Sequence, residues 1–261
     1  MVALWRPRVK NAFNDDLYMD VVHLLRLAKH DDTVGAVVFT GQGDFFSSGA
    51  DLKGMAEKLV PEEDGRQTLR KPTGKFMMEM LAFPKVLAAA VNGPAVGIGT
   101  TLLMHCDLAF CSDKATFWAP FSRIALVPEF CSSCTFYETM GLAKANELLL
   151  LGKKIPAQTA VQWGICSQVL TGCDESGDPF HPNSIGSRMC REIDARLLSL
   201  PLGDKTGRVF VELVRGSHRK RLVDICKQEL LKLDERFDSG QVLEAASQLS
   251  FGSSEKKRSK L

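Results

Sequence analysis

The spacing of apolar and polar positions around residue 90 predicts a buried strand followed by a turn and a helix. The apolar run Val86–Val91 has the length and composition of a strand that is buried on both faces. The triplet Asn92-Gly93-Pro94 ends this strand, because glycine adopts unusual dihedrals and proline lacks a backbone donor. Apolar residues resume at Ile98, Leu102 and Leu103, which predicts a helix that starts near residue 98.

This junction is a candidate binding site for an anion, or for an oxygen that becomes negative during a reaction. A strand, a glycine-rich turn and a helix N-terminus in succession leave free backbone N–H groups that point at one spot. The turn is not a phosphate-binding loop, since no Gly-Lys-Ser/Thr ending is present. Similar joints occur in most α/β domains without binding anything, so the pattern alone leaves a purely structural role open.

The other apolar segments predict strands and helices in alternation. The first helix has candidate capping residues at Asn14, Asp15 and Asp16. The alternation predicts an α/β architecture with parallel pairing of the strands. The helices are expected near residues 14–32, 74–82, 131–140, 143–151 and 157–163, and the strands near residues 2–5, 35–41, 107–112, 115–118 and 166–170.

The pattern also divides the chain into four parts. Residues 1–170 form the predicted sheet-based core, and residues 171–184 form a polar insertion that contains glycines and prolines. Residues 185–250 form a helical region, and residues 251–261 form a flexible tail. Within the core, the charged and irregular residues 53–73 predict a mobile segment over the site.

The composition excludes several classes of protein without selecting one. A hydrophobic fraction of 45% and a charged fraction of 25% are those of an ordinary soluble globular protein. A net charge of +2 argues against a dedicated nucleic-acid binder, which would concentrate basic charge on one face. No apolar run reaches the roughly 18 residues of a membrane span, and the N-terminus lacks the layout of a secretion signal.

The cysteines predict neither disulfides nor a metal site. The chain has 8 cysteines, mostly within apolar segments, so we expect reduced core residues. Cys131 and Cys134 form a close pair, but a zinc site would need a second pair or a histidine pair at ligand spacing, and none follows.

The last three residues predict the location of the protein. Ser259-Lys260-Leu261 is the tripeptide read as a peroxisomal import address, and it follows a polar, basic stretch that is flexible enough to enter a receptor. We therefore expect a peroxisomal import receptor as a partner. The compartment would be a peroxisome or a related organelle such as a glycosome-like microbody.

Glu129 is the strongest candidate for proton-transfer chemistry. It lies between Pro128 and Phe130, in a loop flanked by apolar segments. Apolar surroundings raise the pKa of a carboxyl group, which makes it a usable proton carrier near neutral pH. An equally good interpretation is an acid at a helix N-terminus that interacts with the helix dipole. A serine hydrolase is not favoured, since most histidines fall on predicted helices and Gly-x-Ser-x-Gly is absent.

Three motifs resemble the successive signatures of the crotonase (enoyl-CoA hydratase/isomerase) superfamily, over residues 2 to about 170. They are Arg6-Pro7-x-x-Lys10-Asn11-Ala12, Phe46-Ser47-Ser48-Gly49-Ala50-Asp51-Leu52 and Asn92-Gly93-Pro94-Ala95-Val96-Gly97. The third motif, the segment Pro128-Glu129-Phe-Cys-Ser-Ser and the Ser-Lys-Leu ending together resemble the peroxisomal Δ3,Δ2-enoyl-CoA isomerases.

The resemblance implies a fold and a reaction. The fold is a spiral of ββα units whose C-terminal helices pack against neighbouring subunits, so a homotrimer or hexamer is expected. The family's oxyanion hole uses two backbone N–H groups, which carry over to Ala50 and Ile98. The substrate implied is a fatty enoyl-CoA, and no cofactor is implied, because CoA is part of the substrate.

The carboxylates distinguish the subfamilies. In an ungapped comparison with the family pattern, the two glutamates of the hydratases fall on Thr101 and Phe121, and neither can transfer protons as hydration requires. The single glutamate of the isomerases falls on Glu129, which would move a proton from C2 to C4. The resemblance therefore implies an isomerase. Hydration, dienoyl isomerisation, thioester hydrolysis and non-catalytic acyl-CoA binding are the alternatives.

The same resemblance implies contacts with the substrate. A basic run at residues 215–221 is a further candidate for the CoA phosphates, although a solvated helix face is the better interpretation. The strand-rich N-terminal region of the family is short here, which leaves open whether a strand pair or an acyl-CoA-binding extension is missing. The residues expected to contact the substrate are Lys10, Ala12, Ser48, Gly49, Ala50, Asp51, Leu52, Gly97 and Phe130. Phe130 stands where a small residue is common in the family, which is expected either to narrow the pocket or to alter the preferred length of the acyl chain.

Overall fold

The computed structural model of the chain describes residues 1–52, 71–171, 184–198, 204–242 and 244–245. The predicted mobile segment at 53–73, the polar insertion at 171–184 and the tail at 251–261 lie outside these residues, wholly or for most of their length. These three expectations, and the import signal within the tail, stay predictions.

The strands of the described residues form a central sheet and a small second sheet. Strands β1, β2, β3, β5 and β8 pair in that order, and every pair is parallel. The predicted α/β architecture is therefore confirmed. The strands are β1 (Val2–Leu4), β2 (Ala36–Gly41), β3 (Val86–Val91), β4 (Ala95–Val96), β5 (Leu108–Ser112), β6 (Thr116–Trp118), β7 (Ile155–Pro156) and β8 (Gln168–Leu170).

The second sheet differs from the sequence-based expectation. Strand β6 leaves the central sheet and pairs in parallel with β4, and it pairs antiparallel with β7. Strand β4 has two residues, too few for an apolar run to predict it. This short strand matters for the site, because it holds the turn before Ile98 against the rest of the fold.

Strand β3 is buried on both faces, as its sequence predicts. Ala89 and Val91 belong to the main hydrophobic core, whereas Ala88 and Ala90 belong to a smaller core shared with Met189. Successive side chains of a strand point to opposite faces, so each face of β3 is covered by a different set of residues. The strand is thus fixed in the middle of the fold, and the turn that follows it is well supported.

The helices enclose the sheets, and the first of them begins as predicted. The side chain of Asn14 caps this helix by accepting a hydrogen bond from the N–H of Leu17. The helices are α1 (Asp15–His30), α2 (Pro72–Ala82), α3 (Ile98–Thr101), α4 (Ser132–Met140), α5 (Leu142–Leu149), α6 (Ala157–Gln162), α7 (Ile185–Leu198), α8 (Asp204–Val211) and α9 (Ser217–Asp238).

Helix α3 is shorter than the apolar pattern predicts. After Thr101 the chain continues as a 3₁₀ helix over Leu102–His105. A π-helical turn over Glu212–Gly216 joins α8 to α9. Along α9, the Sγ atom of Cys226 lies 3.8 Å from the Sδ atom of Met77 on α2, so the C-terminal helices pack on the core.

The basic run of the C-terminal region has a structural role that the sequence does not indicate. Arg215 forms an ion pair with Asp107, with 3.1 Å between Nε and Oδ1, and donates to the carbonyl oxygens of Phe83, Lys85 and His105. Its side chain is only 19% exposed. Arg215 therefore fixes the C-terminal helices to the sheet, and it is neither a solvated residue nor a free ligand for phosphate.

Two further observations concern the whole of the described part of the chain. None of its helices is both long enough and apolar enough to cross a membrane. Nor do three or more of its His, Cys, Asp or Glu side chains come together in a group that could hold a metal ion.

Candidate active site

Two loops from separate parts of the sequence meet at the end of strand β3. The N–H groups of Phe46 and Ser47 donate to the carbonyl oxygen of Pro94, at 3.1 and 3.2 Å. In return, the N–H of Val96 donates to the carbonyl oxygen of Ser47 at 2.9 Å. These bonds align the loop after residue 45 with the turn after residue 93.

Each loop carries a glycine with positive φ where it approaches the other loop. Gly49 has φ of +92° and Gly97 has φ of +52°, both in the region that favours glycine. A Cβ atom on Gly49 would lie 3.0 Å from the carbonyl oxygen of Val96, and one on Gly97 would lie 3.9 Å from the Cα of Gly49. Both glycines were predicted to contact substrate, and both also set the path of the backbone.

Each of these glycines directly precedes one of the two predicted oxyanion donors, Ala50 and Ile98. Ile98 is the first residue of α3, so its N–H has no partner within the helix. The neighbours of Ala50 are engaged with Phe13, which donates to Gly49 O at 2.8 Å and accepts from Asp51 N at 2.9 Å. Within the described residues, the N–H groups of Ala50 and Ile98 donate to no backbone acceptor. Two adjacent donors are therefore available.

Glu129 is buried, with 6% of its surface exposed. Its Oε1 atom accepts a 2.7 Å hydrogen bond from Oγ1 of Thr101, and its Oε2 atom has no partner among the described residues. Burial is the main reason why the pKa of Glu129 is raised from 4.5 to about 8; the bond from Thr101 lowers the pKa and the charge of Glu229 raises it. One oxygen is thus held in place, and the other is free to accept a proton.

The alternative interpretation, that Glu129 serves the N-terminus of the following helix, is not supported. Helix α4 starts at Ser132, and the N–H groups of Cys131 and Ser133 donate to the carboxylate of Glu229 instead. Glu229 lies on α9, almost 100 residues away in the sequence. The carboxylate of Glu129 accepts from Thr101 on another element.

The backbone after Glu129 is unusual. Phe130 has φ of +53° and Cys131 has φ of +61°, a left-handed conformation that is uncommon for residues with a Cβ atom. The carbonyl oxygen of Phe130 accepts a 2.8 Å hydrogen bond from Nε2 of His105. Burial lowers the pKa of His105 to about 4, so this histidine is neutral at pH 7 and donates from Nε2.

The ring of Phe130 is fully buried, which refines its predicted role. It stacks on the ring of His105 at 4.1 Å between centroids and lies 5.6 Å from the ring of Phe76. A contact of Phe130 with substrate stays a prediction, and its contacts within the core are what the structure supplies.

The positions of the two hydratase glutamates carry no acid. Thr101 binds the carboxylate of Glu129, and Phe121 is a core residue that is 4% exposed. The motifs do not reveal the contact of Thr101 with Glu129 in the candidate site, since Thr101 lies 28 residues from its partner and no spacing rule connects the two.

The predicted contacts for CoA form one connected group beside Ala50. Lys10 accepts at its carbonyl oxygen from Ser48 N at 2.9 Å, and its ammonium lies 4.7 Å from the centre of the Phe45 ring. Leu52 N donates to Ala50 O at 2.9 Å. These contacts bring together the predicted residues around Lys10 and those on the loop from Ser48 to Leu52.

Arg6 and Asn11 connect the loop around residue 10 to the loop around residues 45–52. The motifs alone do not explain these contacts. Arg6 pairs with Asp51 at 3.0 Å and donates to the carbonyl oxygen of Ala12 at 2.6 Å. Asn11 is fully buried and donates to the carbonyl oxygens of Gln42 and Phe45. Asp51 and Ala12, which were predicted to contact substrate, therefore also hold the shape of the site.

A cavity of about 520 Å³ lies elsewhere, between β1 and α1, and none of the predicted site residues lines it. Its size does not make it the candidate active site, because it lacks Glu129 and both predicted oxyanion donors. Its apolar lining includes Val2, Trp5, Leu24 and Leu27.

Comparisons with known proteins agree with the geometry. A model of the enoyl-CoA hydratase/isomerase family matches residues 1–175 of the chain. The peroxisomal enoyl-CoA delta isomerase 3 of Mus musculus is 37% identical over 232 residues, which are 88% of this chain and 68% of that protein. The enoyl-CoA delta isomerase 2 of Rattus norvegicus is 37% identical over 241 residues, which are 92% of this chain but only 58% of that protein.

A solved structure gives the same result for the fold. OdaA of Pseudomonas aeruginosa superposes with a TM-score of 0.82 at 33% identity, over 95% of this chain and 93% of that chain. The similarity extends into the C-terminal helices, beyond the residues that the family model matches.

Proposed function

Because the chain belongs to the enoyl-CoA hydratase/isomerase family, we propose that it is a Δ3,Δ2-enoyl-CoA isomerase. It would move the 3-ene of an enoyl-CoA to the 2-trans position, as the β-oxidation of unsaturated fatty acids requires. The observation that carries this proposal is the buried carboxylate of Glu129, with one oxygen bound by Thr101 and the other unpartnered among the described residues. The names of the mouse and rat relatives, both enoyl-CoA delta isomerases, support it.

In this reaction Glu129 acts as a base and then as an acid. Its Oε2 atom takes the proton from C2, and the electron pair of the C–H bond moves into the thioester as a dienolate. The same carboxyl group then returns the proton to C4, which leaves the double bond between C2 and C3. The proposed reaction consumes no water, oxidant or cofactor. A pKa of about 8 suits both steps, since the group gains and loses a proton near neutral pH.

The dienolate oxygen would be stabilised by the N–H groups of Ala50 and Ile98. Donors that are fixed in advance stabilise charge as it develops and cost no reorganisation during the reaction; losing one such donor typically costs about 10²–10³ in kcat. Ile98 also lies at the N-terminus of α3, whose first N–H groups carry partial positive charge.

Hydration is the less favoured reaction on this site. Adding water needs a second group to hold and activate the water molecule, and the corresponding positions carry Thr101 and Phe121. The hydroxyl of Thr101 is already engaged with Glu129, and Phe121 is apolar and buried.

CoA would bind along the loop around residue 10 and the loop around residues 45–52. The residues proposed to contact it are those predicted from the motifs, and the exposed Lys10 offers a positive charge next to the loop that carries Ser48. The acyl chain would pass Gly97 towards Phe130. CoA arrives as part of the substrate, so the proposed reaction needs no further cofactor.

The assembly and the location are part of the same proposal. Exposed apolar side chains on α8 and the π-helical turn, among them Phe210 at 63% and Leu213 at 73%, suit a homotrimer or hexamer built through the C-terminal helices. The ending Ser259-Lys260-Leu261, together with the name of the mouse relative, supports import into a peroxisome or a related organelle.

The decisive test is turnover of 3-enoyl-CoA by the 261-residue chain, followed by the ultraviolet absorbance of the conjugated 2-enoyl thioester. A parallel assay offers 2-enoyl-CoA and measures the 3-hydroxy product. We expect conjugation without hydration, and a loss of several powers of ten on Glu129→Gln with acyl-CoA binding retained. Efficient hydration, or undiminished turnover by E129Q, would contradict the proposal.

A further inference from the structure

We propose that Glu229, on helix α9 and outside the motifs, is a positioning residue that fixes the loop carrying Glu129. The inference rests on the proposed function, in which Glu129 is the base. It gives the C-terminal helices a part in the chemistry in addition to packing and assembly.

The carboxylate of Glu229 accepts three hydrogen bonds from residues at the start of helix α4. Its Oε2 atom accepts from the N–H of Cys131 at 2.5 Å, and its Oε1 atom accepts from the N–H of Ser133 at 3.0 Å and from the hydroxyl of Ser133. The residue is only 7% exposed. Burial raises the pKa of Glu229, and the hydrogen bonds from Ser133 and Cys131, which favour the ionised form, lower it. A negative charge at this end of α4 is also favoured by the helix dipole.

These bonds lie where the backbone is strained. Phe130 and Cys131 both adopt the left-handed conformation, which costs energy for residues other than glycine and persists only when the surroundings impose it. His105 holds the carbonyl oxygen of Phe130 from one side, and Glu229 holds the N–H of Cys131 from the other. The segment directly after Glu129 is therefore fixed by two side chains from separate elements.

The position of this segment determines where the carboxylate of Glu129 lies relative to the oxyanion donors. Displacement of a reacting group by about 1 Å is enough to reduce a rate roughly 10²-fold. A residue that never touches substrate thereby controls the distance on which proton transfer depends.

Glu229 also acts on Glu129 through its charge. The other titratable groups that face Glu129 or the two residues after it are neutral at pH 7: burial raises the pKa of Tyr18 and of Cys131 and lowers that of His105. For Cys131, contact with the Cys226 thiol raises the pKa most. A negative charge on Glu229 disfavours ionisation of Glu129 and so raises the pKa of Glu129.

The test is Glu229→Gln in the full chain, with Glu235→Gln as the matched control. Glu235 lies on the same helix, its side chain is 61% exposed, and it pairs with Lys232. An amide at position 229 cannot accept from both N–H groups, so the loop shifts. We expect kcat to fall about 10- to 100-fold with KM changed less than about 3-fold. We also expect the acid limb of kcat/KM to move to lower pH, while Glu235→Gln changes none of these.

A second variant separates geometry from charge. Ser133→Ala removes one donor to Glu229 and leaves the carboxyl group and both N–H contacts in place. We expect a fall in kcat of only a few-fold, with the acid limb unmoved. A similar shift of the limb in Ser133→Ala and Glu229→Gln would overturn the electrostatic part of the inference.

A readout that does not need activity is hydrogen exchange over residues 129–135, followed by mass spectrometry. Glu229→Gln should speed exchange there and leave the peptides of strand β3 protected. Unchanged exchange, or an unchanged kcat and pH profile in an active enzyme, would overturn the inference. If the wild-type chain fails to isomerise 3-enoyl-CoA, the proposed function fails, and the exchange experiment still decides whether Glu229 fixes the loop.

Discussion

The hydroxyl of Thr101 lies 2.7 Å from Oε1 of Glu129 and so joins the proposed base to the helix that carries a proposed oxyanion donor. Thr101 is the last residue of α3 and Ile98 is the first. In the proposed reaction, one helical turn therefore sets the distance between the group that would remove the proton and the N–H that would stabilise the resulting negative charge. The two groups share one support in the fold.

Thr101→Val should lower kcat about 10-fold, because the carboxylate of Glu129 loses the donor that orients it. The shape of the side chain is nearly unchanged. Thr116→Val is the matched control, since the Thr116 hydroxyl is buried without a partner among the described residues. Steady-state kinetics on 3-enoyl-CoA check both variants. Equal rates in the wild type and in Thr101→Val would show that this hydrogen bond has no role in positioning the base.

The pH dependence of kcat/KM should report the ionisation of Glu129. The base must be unprotonated to accept a proton from C2, so we expect activity to rise with pH through about 8. The hydrogen bond from Thr101 lowers the pKa of Glu129, so Thr101→Val should move the midpoint to higher pH, opposite to Glu229→Gln. Measurements from pH 6 to pH 9.5 test both directions. Midpoints that move together would contradict this account.

Gly49→Ala should lower kcat/KM strongly while the protein still folds. A Cβ atom at this position would lie 3.0 Å from Val96 O, and φ is +92°, so the turn before Ala50 must shift. We expect kcat/KM to fall about 10²-fold, the cost of losing one oxyanion donor. Gly141→Ala is the control, since φ is +80° there and the added Cβ meets nothing within 4 Å. Thermal unfolding should show that both variants fold, with the smaller loss of stability in Gly141→Ala, and only Gly49→Ala should lose activity.

The strands and the two turns of the site are predictable because their physical causes are local. The run at Val86–Val91 is apolar without interruption, since both of its faces are covered. The backbone needs positive φ at positions 49 and 97, and the sequence has glycine at both positions. Local composition is sufficient to place these elements within a few residues.

The contacts that position Glu129 are not predictable in this way. Thr101 pairs with Glu129 across 28 residues, and Glu229 pairs with the N–H of Cys131 across almost 100 residues. Both pairings depend on how the completed helices pack. Arg215 shows the same limit, because its burial against Asp107 follows from the fold and not from the surrounding basic residues. Strand β4 is a third case, since two residues carry no periodicity.

Glu129 should also make the stability of the fold depend on pH. Its folded pKa of about 8 exceeds the usual 4.5, so between these values the folded chain holds a proton that the unfolded chain releases. The stability associated with this group is fully present below pH 4.5 and is lost as the pH rises through about 8, by up to about 1.4 kcal/mol per pH unit. Glu129→Gln cannot titrate, and its amide oxygen still accepts from Thr101. The test is urea unfolding of the wild type and Glu129→Gln from pH 5 to pH 9, at one fixed protein concentration. We expect the unfolding free energy of the variant, relative to that of the wild type, to increase as the pH rises. A difference that is constant over this range would mean that Glu129 is ionised in the folded protein throughout, and that the apolar surroundings do not raise its pKa.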